Sequence, residues 1–309
     1  MTVFFWMKFQ VHILGCGSAL PTLLRNQSGQ IININESEYM IDCGEGTQLM
    51  MRKLKKRFQK IATIFISHLH GDHYYGLMGY LSTLHLLGRE KEMKIFAPKG
   101  LKEIIEVHQK HSNSYFRFPL TIIELESPRS ELIYEDKKVN VYTVPLKHKI
   151  YCNGFLFKEK QRDRNILPEK IKEYSIPLIE IKNIKKGDDF KLPNGQIIKN
   201  SELTKDAPSP KSYAYCSDTS FNPDNANLLN GVNALYHEAT FLEKDKDRAV
   251  YTKHSTAKEA GQMAKLVNAE KLIIGHFSAR YTEFDALIDE AKSVFPSTIA
   301  AEDGITIEL

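Results

Sequence analysis

The sequence predicts a mixed α/β fold in which layered sheets are flanked by helices. Short apolar runs rich in β-branched residues alternate with segments of helical periodicity, and this interleaving favours sheet and helix layers over an all-β barrel. Several of the predicted strands are followed within four residues by histidine or aspartate, which points to a polar site at the strand ends. We therefore expect one catalytic domain spanning 1–309.

The predicted strands are short apolar runs of three to six residues with turn residues at their ends. They are 9–14, 30–34, 39–41, 61–66, 94–96, 139–144, 212–216, 234–236, 271–274 and 306–308. The predicted helices show apolar residues at helical spacing over 48–54, 75–87, 101–110, 256–267 and 283–294. None of these runs approaches the ~20 apolar residues that span a bilayer, so we expect no membrane segment.

The composition is that of an ordinary globular chain of 309 residues, of which 42% are hydrophobic. Residues 1–6 are apolar but lack a basic flank and a cleavage site, so we interpret them as extra N-terminal residues rather than a signal peptide. Four cysteines stand far apart without a CxxC pair, which argues against a zinc ribbon or a disulfide scaffold. A reducing cytoplasm fits this pattern best.

Basic residues are unevenly distributed. The net charge is +4, the segment 52–60 carries six basic residues and no acid, and 155–205 carries 12 basic against 8 acidic residues. Each stretch alone is typical of a solvated face, although both are compatible with a polyanionic partner. The segment 155–205 is also interrupted by prolines, and we predict that it is an inserted arm.

The strongest chemical signal is the motif HxHxDH at residues 68–73, between the predicted strand 61–66 and a helical run. It combines His68, His70, Asp72 and His73 at a turn, where nitrogen and oxygen ligands can converge. A single zinc ion cannot use all four and keep a position open for water, so the motif indicates two adjacent metal ions.

Two-metal hydrolysis needs further ligands and a bridging carboxylate. The candidates are His148, Asp218 and His276, because each follows an apolar predicted strand. Two cations lower the pKa of a shared water, hydroxide attacks phosphorus, and the leaving alkoxide then needs a proton. The other histidines considered, His12, His85, His108 and His111, lack this setting and are interpreted as structural or surface residues.

The chain resembles the ribonuclease Z family of the metallo-β-lactamase superfamily from Met7 to its C-terminus. Beside HxHxDH, the resemblance is carried by the strings LGCGSA at 14–19, IDCGEGTQ at 41–48, HEAT at 237–240, HST at 254–256 and HFSARY at 276–281. It implies a metallo-β-lactamase αβ/βα four-layer sandwich with an inserted exosite arm. It also implies a zinc-dependent endoribonuclease that removes the 3′ trailer of precursor tRNA, and a homodimer.

The resemblance assigns a role to each candidate residue. It implies that one zinc ion is held by His68, His70 and His148, the other by Asp72, His73 and His276, and that Asp218 bridges them. Asp72 would also accept a proton from the attacking water. His254 is our candidate donor to the leaving oxygen, oriented by Glu238 of the HEAT string. Manganese or iron could replace zinc in such a ligand set.

Two strings depart from the family pattern. The family loop PxKxRN reads PTLLRN at 21–26, with Leu23 in place of the lysine, while Arg25 and Asn26 are retained. The glycine-proline motif of the arm is replaced by SIPLIE at 175–180. Because that loop is associated with the RNA 3′ end, neither the cleavage position nor the sensitivity to a CCA tail is carried over.

Two other functions remain open. The runner-up is a small-substrate phosphodiesterase of the same fold, such as a cyclic-nucleotide hydrolase, whose site chemistry would be nearly identical. A basic insertion of some fifty residues argues against it. The second is a non-catalytic RNA-binding protein, against which the apparently complete set of ligands argues.

Overall fold

The computed structural model describes residues 8–309, so the predicted extra N-terminal residues 1–6 lie outside the described residues. Strands β1 to β20 are, in chain order, Phe9–Gly15, Gly17–Ser18, Gly29–Ile34, Ser37–Cys43, Thr63–Phe65, Met93–Pro98, Leu120–Leu125, Leu132–Glu135, Val139–Pro145, Asn153–Glu159, Asn165–Ile166, Phe190–Lys191, Ile197–Ile198, Thr204–Lys205, Ser212–Cys216, Ala234–Glu238, Lys271–Gly275, Phe277–Ser278, Thr298–Ala300 and Thr306–Glu308. Helices α1 to α10 are Thr47–Lys53, Gly71–Leu86, Leu101–Ser112, Pro168–Glu173, Leu178–Lys186, Asn200–Leu203, Ala226–Leu229, Lys246–Thr252, Ala257–Leu266 and Asp285–Lys292.

Two seven-stranded sheets form the main body. The first has the strand order β20-β1-β3-β4-β5-β6-β7, and the second has the order β19-β17-β16-β15-β10-β9-β8. Strands β4 to β7 are parallel to one another, as are β15, β16, β17 and β19. The carboxyl ends of neighbouring parallel strands meet at one edge of their sheet, and this places the polar residues that follow them close together.

The two sheets pack face to face through an apolar core. The ring of Phe65 in the first sheet lies 5.3 Å from that of Phe155 and 5.4 Å from that of Phe157 in the second. Helices α1, α2 and α3 cover the outer face of the first sheet, and α9 and α10 cover that of the second. The layers are therefore helix, sheet, sheet and helix, as the sequence predicts.

Residues 159–210 form a second compact unit. Its own core contains the side chains of Ile176, Ile184, Phe190, Ile198 and Leu203. At the place where the sequence reads SIPLIE, Ser175 has a positive φ of 49° and Pro177 immediately precedes α5. A positive φ is uncommon for a residue with a Cβ, so the chain turns sharply there.

The predicted arm 155–205 differs from this unit at both ends. Residues 155–158 belong to β10 and pair with β15, with Phe155 opposite Tyr215 and Lys158 opposite Ser212. The side chains of Phe155 and Phe157 are fully buried, and this burial in the intersheet core places them in the main body. The compact unit extends to Pro210.

All four cysteines are buried and carry free thiols. Among the helices of residues 8–309, none combines the length and the apolar composition needed to cross a bilayer.

Candidate metal centre

The HxHxDH turn joins β5 to α2. His68 follows the strand, His70 lies just before the helix, and Asp72 and His73 occupy its first turn. A carboxylate is favoured there because the helix macrodipole is positive at its N-terminus. The first turn of α2 packs closely against Gly44, since a Cβ on Gly44 would come within 2.4 Å of the backbone oxygen of Asp72. A glycine is therefore required where the IDCGEGTQ turn meets the helix.

The later candidates lie just past strands of the second sheet. Asp218 follows β15, His276 follows β17, and His148 lies three residues beyond β9. Asp218 and His276 have positive φ angles of 47° and 58°. Such conformations cost energy for residues other than glycine and persist only where surrounding contacts fix them, as is common at functional sites.

Ring nitrogens of His68, His70 and His148 converge on one point. Nε2 of His68 lies 3.0 Å from Nδ1 of His70, and Nε2 of His148 lies 3.2 Å from the same atom. Nδ1 of His148 donates to the backbone oxygen of Lys253 at 3.0 Å, so in the neutral ring Nε2 presents a lone pair to the other two. Such an arrangement is typical of metal ligands.

The second group consists of Asp72, His73 and His276. Oδ2 of Asp72 lies 3.5 Å from Nε2 of His73 and 3.5 Å from Nε2 of His276. Both of these nitrogens are buried, and neither has a hydrogen-bond partner among residues 8–309. Carboxylate oxygens of Asp72 and Asp218 lie nearby without hydrogen-bond geometry, and an unsatisfied buried polar atom is costly, so a metal ion between these groups would satisfy both nitrogens.

Asp218 lies between the two groups. Its Oδ1 atom is 3.1 Å from Nε2 of His73 and 3.1 Å from Nε2 of His276. Its Oδ2 atom is 3.6 Å from Nε2 of His68 and 3.8 Å from Nε2 of His148. One carboxylate thus presents a different oxygen to each group, which is the geometry of a bridging ligand.

The donor set fits divalent metal ions. Ligand atoms of His68, His70, His148 and Asp218 lie within 4.8 Å of one another, and so do those of Asp72, His73 and His276. Imidazole nitrogens and carboxylates suit zinc and also manganese or iron. Burial holds the pKa of the His68 imidazole well below its usual value. His68 is therefore neutral, which is the form that binds a metal.

Asp42 supports this centre and was not recognised from the sequence. It is fully buried with a positive φ of 54° at the end of β4. Its Oδ2 atom accepts hydrogen bonds from Nδ1 of His73 at 2.7 Å, the hydroxyl of Tyr215 at 2.8 Å and the hydroxyl of Ser67 at 2.9 Å. A carboxylate behind an imidazole fixes the ring and its tautomer. The available signal was its place in the IDCGEGTQ string, directly after a strand.

His254 and Glu238 form a pair beside the centre. Nδ1 of His254 lies 2.8 Å from Oε1 of Glu238, which is fully buried at the end of β16. Burial opposes the charge on His254, but the Glu238 carboxylate outweighs it and raises the pKa of His254 to about 9. Nε2 of His254 lies 4.0 Å from Oδ2 of Asp218. The structure therefore brings all nine sequence-predicted site residues together.

Glu238 is held by several donors. It accepts hydrogen bonds from the backbone amides of Thr219 at 2.6 Å and Ser255 at 3.0 Å, and from the hydroxyl of Thr240 at 2.5 Å. These bonds satisfy a buried charge and fix the carboxylate that orients His254.

Proteins of known family are similar to this chain along nearly its whole length. A ribonuclease Z from Bacteroides fragilis is 44% identical over 302 residues, covering 98% of this chain and 99% of that protein. A ribonuclease Z from Porphyromonas gingivalis is 46% identical over 301 residues, covering 97% and 99%. The chain belongs to the ribonuclease Z family. The family and the enzyme class predicted from the sequence are thereby confirmed.

Solved structures agree with the fold of a ribonuclease Z. Human tRNase Z, short form, aligns with a TM-score of 0.69 at 24% identity, covering 96% of this chain and 98% of that one. The metallo-β-lactamase fold protein YhfI from Bacillus subtilis aligns with a TM-score of 0.68 at 15% identity, covering 98% and 100%. The predicted metallo-β-lactamase fold is confirmed.

A family model described as the anti-Pycsar protein Apyc1 matches residues 9–160, just under half of this ribonuclease Z family member. That stretch contains the HxHxDH motif and His148 but not Asp218, His254 or His276. It therefore covers only part of the candidate site.

Proposed function

We propose that this chain is an endoribonuclease that cleaves precursor tRNA at its 3′ end and releases the 3′ trailer. Membership of the ribonuclease Z family supports the reaction class. The observation that carries the mechanism is the position of Asp218, with one carboxylate oxygen toward each of two histidine-containing groups.

We propose two zinc ions per chain as the cofactor. His68, His70 and His148 would hold one, Asp72, His73 and His276 the other, and Asp218 both; manganese or iron could take their place. When bound, the ions lower the pKa of water toward neutrality and neutralise charge on the phosphate. The unpartnered nitrogens of His73 and His276 support this assignment.

Asp72 is the proposed acceptor for a proton of the attacking water. Its Oδ2 atom is fixed by the backbone amide of Ala19 at 2.8 Å and faces the nitrogens of His73 and His276. The amide keeps this oxygen facing the nitrogens that would hold one metal ion, where it can take or orient a proton of the attacking water.

His254 is the proposed donor to the leaving oxygen. Hydrolysis forms a bond between phosphorus and the water oxygen and breaks a bond to one ribose oxygen, which keeps the electron pair and needs a proton. Nδ1 of His254 faces Glu238, so Nε2 is the atom that can deliver that proton. Ligand atoms of His254, Asp218 and His276 also lie within 4.8 Å of one another, so His254 could in principle bind a metal ion. We assign it to proton transfer because its Nδ1 atom contacts the buried Glu238 carboxylate, and because Asp72, His73 and His276 already form a separate group of ligand atoms.

The unit 159–210 is proposed to bind the body of the tRNA. Helix α5 exposes Lys182 and Lys186 to solvent beside the exposed apolar side chains of Leu178 and Ile179. Phosphate contacts by lysines position a folded RNA without reading its bases. The homodimer implied by the resemblance and the cytoplasmic location indicated by the cysteine pattern stay predictions, and light scattering tests the first.

The function is tested by incubating the metal-loaded protein with an unprocessed tRNA transcript, with and without its CCA, and mapping the cut. We expect one cut near the discriminator nucleotide. Turnover of a small diester without such a cut would instead favour the small-substrate phosphodiesterase.

A further inference from the structure

A cavity of about 380 Å³ opens directly beside the candidate metal centre. Its walls come from the segment after β2, the segment after β16, helix α8 and the segment after β18. Three of its lining residues also contact the centre: the backbone amide of Ala19 donates to Asp72, the hydroxyl of Thr240 lies 3.0 Å from Nδ1 of His276, and Nε2 of His254 lies 4.0 Å from Asp218. The cavity is thus continuous with the place where the reacting phosphate would lie.

We propose that this cavity binds the nucleoside that carries the leaving oxygen of the scissile phosphodiester, an inference that rests on the proposed function. His254 lines the cavity and is the proposed proton donor to the leaving oxygen. The sugar that bears this oxygen must therefore lie against His254. The rest of that nucleoside then extends away from the metal centre, and the cavity is the space available on that side.

The lining suits a nucleoside with a neighbouring phosphate. Leu20 and Phe241 supply apolar surface, and Arg248 and Arg280 supply positive charge at solvent-exposed positions. Among the described residues that line the cavity, none is acidic. Bases of single-stranded RNA stack on apolar and guanidinium surfaces, and arginine binds phosphate through two parallel hydrogen bonds.

The size also fits. Pockets for small ligands occupy about 300–1,000 Å³, so this cavity lies near the lower end of that range and admits about one nucleoside. Thr252 and Ser278 also line it. The Thr252 hydroxyl donates to the backbone oxygen of Arg248 at 2.8 Å and can still accept a hydrogen bond from a ribose or a base edge. A single nucleotide position, rather than a stretch of RNA, is therefore assigned to it.

The test uses the metal-loaded protein and matched RNA substrates in which one nucleoside is made abasic, on either side of the scissile phosphate. The end groups of the products show which nucleoside carried the leaving oxygen. We expect the abasic change on that side to raise KM at least about fivefold, in line with the contribution of one stacked base, and the change on the other side to raise it less.

Two variants test whether the rise in KM for the abasic RNA arises in this cavity. Leu20→Ser should raise KM for the intact RNA, and it should reduce the factor by which the abasic change raises KM. Arg280→Gln should raise KM and reduce the slope of log KM against log salt by about 0.7, as expected for one lost phosphate contact on a single strand. The matched controls are Leu86→Ser and Arg117→Gln, at exposed positions near the far end of α2 from the centre. They should behave as the wild type.

An equal abasic penalty in the wild type and in Leu20→Ser, or a larger penalty on the other side of the phosphate, overturns the inference while leaving the nuclease function intact. Failure of the wild type to cut any of the RNAs rejects the proposed function, and the inference falls with it.

Discussion

Nδ1 of His254 lies 2.8 Å from a carboxylate oxygen of Glu238, a side chain with no exposed surface. This contact leaves one ring nitrogen of His254 free to face Asp218 at 4.0 Å. The pair has the geometry of a positioned acid, in which the carboxylate fixes the tautomer and stabilises the charged ring.

Replacement of His254 should therefore slow only reactions that need a protonated leaving group. We expect His254→Ala to lower kcat on RNA by about 10²–10⁴-fold, with KM little changed. On bis(p-nitrophenyl) phosphate the loss should be much smaller, because p-nitrophenolate leaves without a proton. Equal losses on both substrates would contradict the assignment.

Glu238 should act through His254 rather than on the substrate. We expect Glu238→Gln to lower kcat on RNA, and the double variant Glu238→Gln with His254→Ala to be no slower than His254→Ala alone. Since Glu238 also accepts bonds from Thr219 and Ser255, circular dichroism and metal content are the controls for folding. Additive losses in kcat would show that the two residues act separately.

Asp42 should strengthen metal binding by fixing the ring of His73. We expect Asp42→Asn to weaken metal affinity by about 10–100-fold in a chelator competition, because the amide is a poorer acceptor for Nδ1 of His73. Asparagine tolerates the positive φ at this position, so the backbone should be preserved. An unchanged affinity would leave Asp42 with a purely structural role.

Removal of the unit 159–210 should affect activity on precursor tRNA and activity on a small diester differently. Lys158 of β10 and Ser212 of β15 are paired directly across the sheet, so replacing 159–211 by Asn-Gly closes a two-residue hairpin. We expect precursor tRNA cleavage to fall strongly and bis(p-nitrophenyl) phosphate hydrolysis to persist. Parallel loss of both activities, in a protein that is still folded and metal-loaded, would count against a tRNA grip.

His12 should make stability depend on pH. Its ring accepts a hydrogen bond from Lys56 at 2.7 Å, and burial followed by the charge of Lys56 lowers the pKa of His12 to about 4. The unfolded chain, with a pKa near 6.5, binds the proton more readily, so stability is full above pH 6.5 and falls as the pH drops toward 4. Urea unfolding of the metal-free protein at pH 7 and pH 5 should show a loss that His12→Gln reduces by about 1–2 kcal/mol. An identical loss in both proteins would contradict this.

The sequence predicts most of the centre because its ligands follow apolar strands. His276 comes directly after β17 and Asp218 two residues after β15, and both strand patterns are clear in the sequence. Asp42 also follows a predicted strand and lies in the IDCGEGTQ string, but neither feature assigns it a role at the centre. Its role depends on where Nδ1 of His73 points, which only the packed structure determines.

Strands are harder to predict from the sequence where their pairing strands are distant in the chain. The predicted arm takes in residues 155–159 of β10, which lead into a charge-rich segment, whereas the neighbours of β10 in the sheet are β9 and β15. Strand β7, Leu120–Leu125, was missed because its residues are mostly only partly buried at a sheet edge, so its apolar pattern is weak. Helix α2 begins at Gly71 rather than near residue 75, within the metal-binding turn itself.

The most direct test of the account is the metal content of the purified protein, compared with that of Asp218→Asn and of His148→Ala, measured by elemental analysis after zinc loading and removal of free ions. We predict two ions per wild-type chain, reduced occupancy of both sites in Asp218→Asn, and loss of one ion in His148→Ala. A wild-type protein that binds no ion, or an Asp218→Asn variant that retains two with unchanged affinity, would contradict the two-metal centre.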